Sequence, residues 1–223
     1  MSISSVDICN LALSGLGDAG GISSIDPPDN SAQAQYCSRF YPIALSMLLD
    51  SHQWGFATAR INLAAVTSDT MEWSNCFVLP SDYINVIALL SGGLIALDAY
   101  SVELHSSGVI VIYCNEPIVS LVYTTNAALN PAKYPPLFIE ALSLTLQYYL
   151  AGSIIKGDTG VSAKNAIFKQ MQISTAIARA SDAQNYKTQR KYISTAAIAH
   201  QLGSGTLTAQ GLNNVFPKSF TVL

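Results

Sequence analysis

One short stretch of the chain has the spacing of a dinucleotide-binding motif. Gly15-Leu16-Gly17-Asp18-Ala19-Gly20 matches G-x-G-x-x-G. In nucleotide-binding folds this motif follows a strand and opens a helix, so that the phosphates meet the helix N-terminus. Here a helical pattern precedes the glycines, and a loop containing Pro27-Pro28 follows them. The pattern is therefore more typical of a helix end followed by a turn, and no cofactor is predicted.

Residues that could serve catalysis or bind a metal are few and widely spaced. The chain has histidines only at positions 52, 105 and 200, no G-x-S-x-G elbow, and no C-x-x-C pair among Cys9, Cys37, Cys76 and Cys114. This pattern favours four reduced, mostly buried thiols in a protein made in the cytoplasm. We predict no catalytic residue and no metal site. The alternative is a small soluble enzyme that binds a nucleotide-type ligand near Gly15–Gly20 and His52.

The composition is poor in charge. Of the 223 residues, 11% are Asp, Glu, Lys or Arg and 50% are hydrophobic, whereas ordinary soluble domains contain about 25% charged residues. A soluble monomer normally keeps its surface charged and free of large apolar patches. Such a chain either lies in a membrane or gives much of its surface to other subunits.

The membrane interpretation depends on residues 137–155, which are about as long as the ~20 residues of a membrane span. This stretch contains Glu140 and Gln147 and has no flanking basic cluster. A buried helix of a bundle explains it better, and a membrane-associated protein is the third hypothesis.

Two helices are predicted before residue 56. Ser4 or Ser5 caps the first, which carries Ile8, Leu11, Ala12 and Leu16 on one face and ends at Gly17. Asp29, Asn30 or Ser31 caps the second, and Pro42 is expected to interrupt it. Its apolar residues recur at i, i+3, i+4 and i+7, namely Cys37, Phe40, Tyr41, Ala44, Leu45, Leu48 and Leu49.

Short β-branched or aromatic runs follow from residue 56. Hairpin-type separators divide the runs 84–90, 94–97, 100–104, 109–113 and 118–124, which predicts a small antiparallel meander. Helical pattern returns at Pro135-Pro136, with a third helix up to Gly157 and a fourth from about Ser162 to Asn185.

This order of elements predicts an α+β, mainly α fold. An antiparallel helix bundle (1–60 and 133–186) would carry an inserted antiparallel β subdomain (61–132), and residues 187–223 would form an extended C-terminal arm.

Charge is separated along the chain. No Lys or Arg lies between Arg60 and Lys133, while six carboxylates do; after Asp182 there is no carboxylate, while four cations follow. Opposite signs on separate pieces suit contacts between neighbouring subunits, although chance explains the pattern equally well in a charge-poor protein. The residues up to 182 carry −7, which disfavours a DNA-reading surface.

Several blocks together resemble the head-to-tail adaptor (connector) proteins of tailed bacteriophages, of the tail tubular protein A type. The resemblance covers about residues 5–185 and rests on the order of motifs rather than on one signature. The motifs are Asn10-Leu11-Ala12-Leu13 with Leu16-Gly17, Leu48-Leu49 with His52 and Trp54, Phe56-Ala57, Trp73, Leu79-Pro80 with Asp82, and Phe138–Leu142.

The resemblance implies a virion structural protein without catalytic activity, located at the head–tail junction. Known members form a homo-oligomeric ring, a dodecamer, that binds the portal above and a tail or tail-hub protein below. Such a ring extends the channel through which DNA passes during ejection, without sequence-specific binding and without a membrane.

Two sets of residues are the predicted functional positions. The arm would contact the portal or neighbouring subunits through Lys187, Arg190, Lys191, Tyr192, Phe216, Lys218 and Phe220. The junction between bundle and sheet would be anchored by Trp54, Phe56, Trp73, Phe77, Leu79 and Pro80, where rigid aromatic side chains contribute most when buried.

Overall fold

A computed structural model describes residues 3–91, 95–97, 99–126, 130–155 and 157–185. In these residues four α-helices flank eight strands, which form two antiparallel sheets. The predicted α+β class is confirmed. The predicted arm, 187–223, lies outside the described residues.

The helices are α1 (Ser5–Gly15), α2 (Ala32–Asp50), α3 (Pro136–Ile154) and α4 (Asp158–Asn185). Helix α3 packs against the other three, and its apolar side chains fill their shared core. By length and composition α3 is the one helix in the described part of the chain that could cross a membrane, and 56% of its apolar window is buried inside the protein. The buried core helix of a soluble protein passes the same test.

The predicted caps of the first two helices are confirmed. The Ser4 hydroxyl accepts a hydrogen bond from Asp7 N at 3.1 Å, and the Asp7 carboxylate accepts one from Ser4 N at 2.8 Å. This reciprocal pair is a capping box. Ser31 caps α2 by accepting from Ala34 N at 3.1 Å.

Three details of the helices differ from the predictions. Leu11 is 51% exposed, and Leu13 is buried instead, because α1 turns residues 8, 9, 12 and 13 toward the core. Pro42 lies inside α2 without ending it. A proline inside a helix costs about 3 kcal/mol, but buried apolar side chains on both sides of Pro42 offset that loss. Helix α4 begins at Asp158, about one turn earlier than predicted.

The strands, in chain order, are β1 (Thr58–Asn62), β2 (Ala65–Val66), β3 (Asn75–Val78), β4 (Tyr83–Ser91), β5 (Ile95–Ala96), β6 (Ser101–Leu104), β7 (Ile110–Cys114) and β8 (Val119–Thr125). The first sheet has the order β1-β8-β4-β5 and the second the order β2-β3-β7-β6. In the first sheet, Thr58 pairs with Thr124 and Asn62 with Ser120.

The five predicted runs are strands β4 to β8, but the predicted single meander is wrong. Strands β7 and β8 follow each other in the chain and belong to different sheets. Strand β8 instead takes the place between β1 and β4, and β7 lies between β3 and β6. The short strands β1 to β3 supply the extra partners that a meander of five strands lacks.

The helices and the sheets have separate apolar cores. One cluster joins the four helices, and a second contains residues of both sheets, including Phe77 and Ile112 from one and Leu89 and Leu121 from the other. The two sheets therefore pack against each other. Strand β1 begins at Thr58, three residues before the predicted start of the β subdomain, and the division into domains stays a prediction.

Candidate functional site

The Gly15–Gly20 stretch is a helix end and a turn. Gly15 is the last residue of α1, and Gly17 has a φ of +79°, the left-handed conformation that ends many helices. A Cβ added at Gly15 would lie 2.5 Å from Nε2 of the buried Gln147. The first glycine of the motif thus leaves room for the end of the Gln147 side chain where α1 packs on α3.

His52 belongs to a polar contact at the end of α2. Its Nε2 lies 3.3 Å from Asp182 Oδ2, and its ring meets Trp54 edge-on at 4.9 Å between centroids. The Asp182 carboxylate also accepts from Gly55 N at 3.2 Å. Asp182 is 7% exposed, so this contact ties the end of α4 to the turn after α2.

His52 and the glycine turn do not share a site. Gly15 packs on Gln147, whereas Trp54, the neighbour of His52, packs on Phe138 at 4.9 Å between ring centroids. These two positions on α3 are nine residues apart, which is about 14 Å along a helix. No described contact joins the two halves of the alternative nucleotide site.

Five of the six predicted junction residues lie in three different clusters, and Pro80 belongs to the loop after Leu79. Trp54 and Phe56 belong to the helical core, and Phe77 and Leu79 to the core between the sheets. Trp73 packs on a third, small cluster formed by Cys76, Val111 and Tyr113. The structure brings Trp54 and Phe56 within 6.1 Å of each other, and the joint role of all six stays a prediction.

The Leu79-Pro80-Ser81-Asp82 motif connects the two sheets. It follows β3 and precedes β4, and the Pro80 carbonyl accepts from Tyr83 N at 3.1 Å. The Asp82 carboxylate accepts from Thr125 Oγ1 and, at 3.1 Å, from Tyr123 Oη. The hydrogen bond from Thr125 lowers the pKa of Asp82 below its usual value.

A second carboxylate fixes the loop between β2 and β3. Asp69 accepts from Tyr113 Oη and, at 2.9 Å, from Ser106 N. These hydrogen bonds, led by the one from Tyr113, lower the pKa of Asp69 well below its usual range. The loop is thereby held against the β6–β7 turn, and part of the predicted negative charge serves the fold.

The four cysteines are buried and free, as predicted. Cys9 of α1 and Cys37 of α2 are close enough to interact, and the hydrogen bond between them, followed by burial, raises the pKa of the Cys9 thiol. The Cys9 thiol is correspondingly unreactive as a thiolate.

An open groove of about 380 Å³ lies between α2, α3 and α4. Met47 of α2 and Phe168 of α4 line it and are 46% and 39% exposed. Arg179 lines the same groove, and its buried Nε has no hydrogen-bond partner among the described residues. The half-buried Arg179 side chain gives this part of the groove a positive charge.

The sequence analysis missed this groove. The signal is present in α4, where Phe168, Met171 and Thr175 recur at helical spacing. Because α4 is otherwise Ala-rich and polar, this spacing did not lead to a prediction of an apolar groove. The predicted arm residues, from Lys187 to Phe220, lie outside the described residues.

Comparisons with known proteins add a likeness to solved structures. No protein-family model and no curated protein matches the chain. Among solved structures, one described as "Neck of empty GTA particle computed with C6 symmetry" matches 70% of this chain and 85% of its own chain, at 15% identity and a TM-score of 0.24. A likeness at this level carries no argument about the function of this chain.

Proposed function

We propose that this chain is a structural protein of a tailed-phage virion, a ring-forming adaptor between the capsid portal and the tail. The ring extends the DNA channel and acts without catalysis. The known adaptor proteins that the sequence resembles are dodecamers, and we propose the same stoichiometry, at the head–tail junction of the particle.

The observation that carries this proposal is the exposed apolar surface of a charge-poor chain. Large apolar side chains are more than 40% exposed on α1, α2, α4 and the sheets, including Leu11, Ile43, Ile173 and Leu104. Only 11% of the residues are charged. Surfaces of this kind are typical of interaction sites, and stacked rings would cover them.

The charge distribution supports a passage for DNA rather than a DNA reader. The residues up to 182 carry seven cations against fourteen carboxylates. Affinity for DNA depends mainly on Lys and Arg contacts to phosphates, and this body is net negative. A channel of this charge would let the duplex move without holding it.

The enzyme alternative gains no support from a specific observation. His52 is engaged with Asp182 and Trp54, and Gly15 is engaged with Gln147. Each residue has a structural role in a different part of the helical core. A thermal-shift screen with nucleotides tests the alternative directly, because ligand binding to the native state raises its stability.

Mass measurement of the purified full-length chain, with and without the portal protein of the same phage, tests the proposal. The expected result is a stoichiometric ring on the portal, even if the chain alone stays monomeric. A chain that remains monomeric beside assembled portal rings contradicts the adaptor function. The matched control is the same mixture with an unrelated protein of similar mass.

A further inference from the structure

The tip of the β6–β7 hairpin is an exposed apolar surface. Leu104 and Ile110 pair across the hairpin and are 71% and 46% exposed, and Val109 beside them is 44% exposed. The loop that Asp69 holds against this hairpin adds Met71, which is fully exposed. We call these four residues the hairpin tip.

The hairpin tip is surrounded by negative charge. Asp69 and Glu72 belong to the adjoining loop. Glu103 is exposed one residue before Leu104, on the other face of strand β6, and accepts a hydrogen bond from the Ser101 hydroxyl. No Lys or Arg occurs between residues 60 and 133. The tip therefore combines apolar side chains with carboxylates, and no Lys or Arg of its own subdomain balances them. His105 lies 3.5 Å from Asp69, and among the described residues neither Glu72 nor Glu103 has a histidine contact.

The groove between α2, α3 and α4 has the opposite charge. Lys169 is exposed on α4 at helical spacing from Gln172 and Ala176, which line the groove. Arg179, which is half-buried, lines the groove and adds a second positive charge. The carboxylates nearest the groove are engaged elsewhere, since Asp182 faces His52 and Gly55, and Asp50 accepts from Asn85 at 3.2 Å.

We infer that the hairpin tip of one copy of this chain docks into the α2–α3–α4 groove of the next copy. Leu104 and its apolar neighbours would enter the space beside Met47 and Phe168, and the carboxylates around the tip would face Lys169 and Arg179. This inference rests on the proposed function and names the surface through which the ring forms.

The arrangement explains why such a contact would give a ring. The tip and the groove are different surfaces of one chain, so each copy offers one of each to its neighbours. A contact of this heterologous kind closes into a ring when its rotation allows. Opposite charges would fix the alignment of the hairpin tip in the groove, and like charges at the same place would oppose docking.

A charge-swap mixture tests the contact. Lys169→Glu in one preparation and Glu103→Lys in another should each weaken assembly on the portal about tenfold, because each places like charges together. An equimolar mixture of the two variants should restore assembly, since every groove then meets a tip of opposite charge when the two variants alternate. The matched controls are Lys133→Glu and Glu140→Lys, which change exposed charges outside both surfaces.

Crosslinking provides a readout that does not depend on affinity. Met47→Cys and Leu104→Cys, made in separate chains, should crosslink with a short bismaleimide only when mixed, because the four native cysteines are buried. Leu11→Cys, an exposed apolar position on α1, is the control partner and should give little product.

The outcomes separate the inference from the proposed function. If the wild-type chain forms a ring on the portal but the charge swaps and crosslinks show no pairing, this interface is wrong and the adaptor function stands. Crosslinking of Met47→Cys to itself also overturns the inference, because it places a second groove rather than a hairpin tip beside Met47. If the wild-type chain forms no ring with the portal, both proposals fail.

Discussion

Trp54 is 1% exposed, and its indole Nε1 donates to the Leu48 carbonyl at 2.8 Å. Its ring also packs edge-on against Phe138. We expect Trp54→Ala to lower the free energy of unfolding by about 3–5 kcal/mol, as for other buried aromatic truncations. Trp73→Ala, at a half-buried position, should cost clearly less. Urea denaturation measures both, and equal losses would show that Trp54 is not the anchor of the helical core.

Asp82 should make the stability depend on acid pH. Its folded-state pKa is lowered, chiefly by the hydrogen bond from Thr125, so its contribution is present above the unfolded pKa and is lost as pH falls through the folded pKa. Asp82→Asn should therefore lower the melting temperature at pH 7 by roughly 2–4 °C, for a loss of about 1 kcal/mol. The difference from wild type should shrink below about pH 4.

Thr125→Val is the companion variant, because it removes the first of the two donors while leaving the carboxylate. Thr125→Val should reproduce part of the fall in melting temperature at pH 7. Its difference from wild type should also shrink in part as the pH becomes acid. If the difference in melting temperature between each variant and the wild type stayed constant from pH 7 to acid pH, it would contradict the role of Asp82 in the connection between the sheets.

At the residue scale, local chemistry was predictable and long-range contact was not. Ser4 and Ser31 were recognisable as caps because a cap needs only a hydroxyl and its helix. The Asp182–Gly55 hydrogen bond spans 127 residues, and no local pattern indicates it. The same holds for Arg179, whose place in the groove depends on the packing of three helices.

Two glycines on either side of the α3–α4 connection, Gly152 in α3 and Gly160 in α4, form a matched pair. A Cβ at Gly160 would lie 2.2 Å from the Ile155 carbonyl oxygen, whereas one at Gly152 in α3 would meet nothing within 4 Å. We expect Gly160→Ala to destabilise by about 1–3 kcal/mol, because backbone must move. Gly152→Ala should stabilise by roughly 0.5–1 kcal/mol, because alanine favours the helix. Thermal melts of both variants check this, and shifts of the same sign would contradict it.

At the element scale, the presence of the helices and strands was predictable, but the pairing of the strands was not. The spacing of apolar residues identified the four helices and strands β4 to β8, because an element that buries one face repeats apolar residues at its own period. It could not show that β8 leaves its chain neighbour β7 to pair with β1 and β4. Strand β2, with only two residues, is too short to have a period, and its pairing with β3 depends on the other strands of its sheet.

At the scale of the whole molecule, composition and structure both indicate an excess of exposed apolar surface. The chain folds with an apolar core in the helices and another between the sheets, and it still exposes large apolar side chains on several elements. Composition predicted an excess of apolar surface, but only the structure shows that part of it lines a groove and part forms the hairpin tip. The arm was predicted from two closely spaced glycines and the lack of a long hydrophobic period, and its role stays a prediction.

Removing residues 187–223 tests the contribution of the arm to assembly. These residues carry four cations and no carboxylate, whereas the residues up to 182 carry −7, so their loss removes most of the opposite charge available to neighbouring subunits. Among the described residues, which end at 185, the helices and the sheets already form apolar cores. We therefore expect a chain of residues 1–186 to melt within a few degrees of the full chain but to assemble on the portal less readily. An unfolded truncated chain would show instead that the arm completes the core, and unchanged assembly would assign ring formation to the folded body alone.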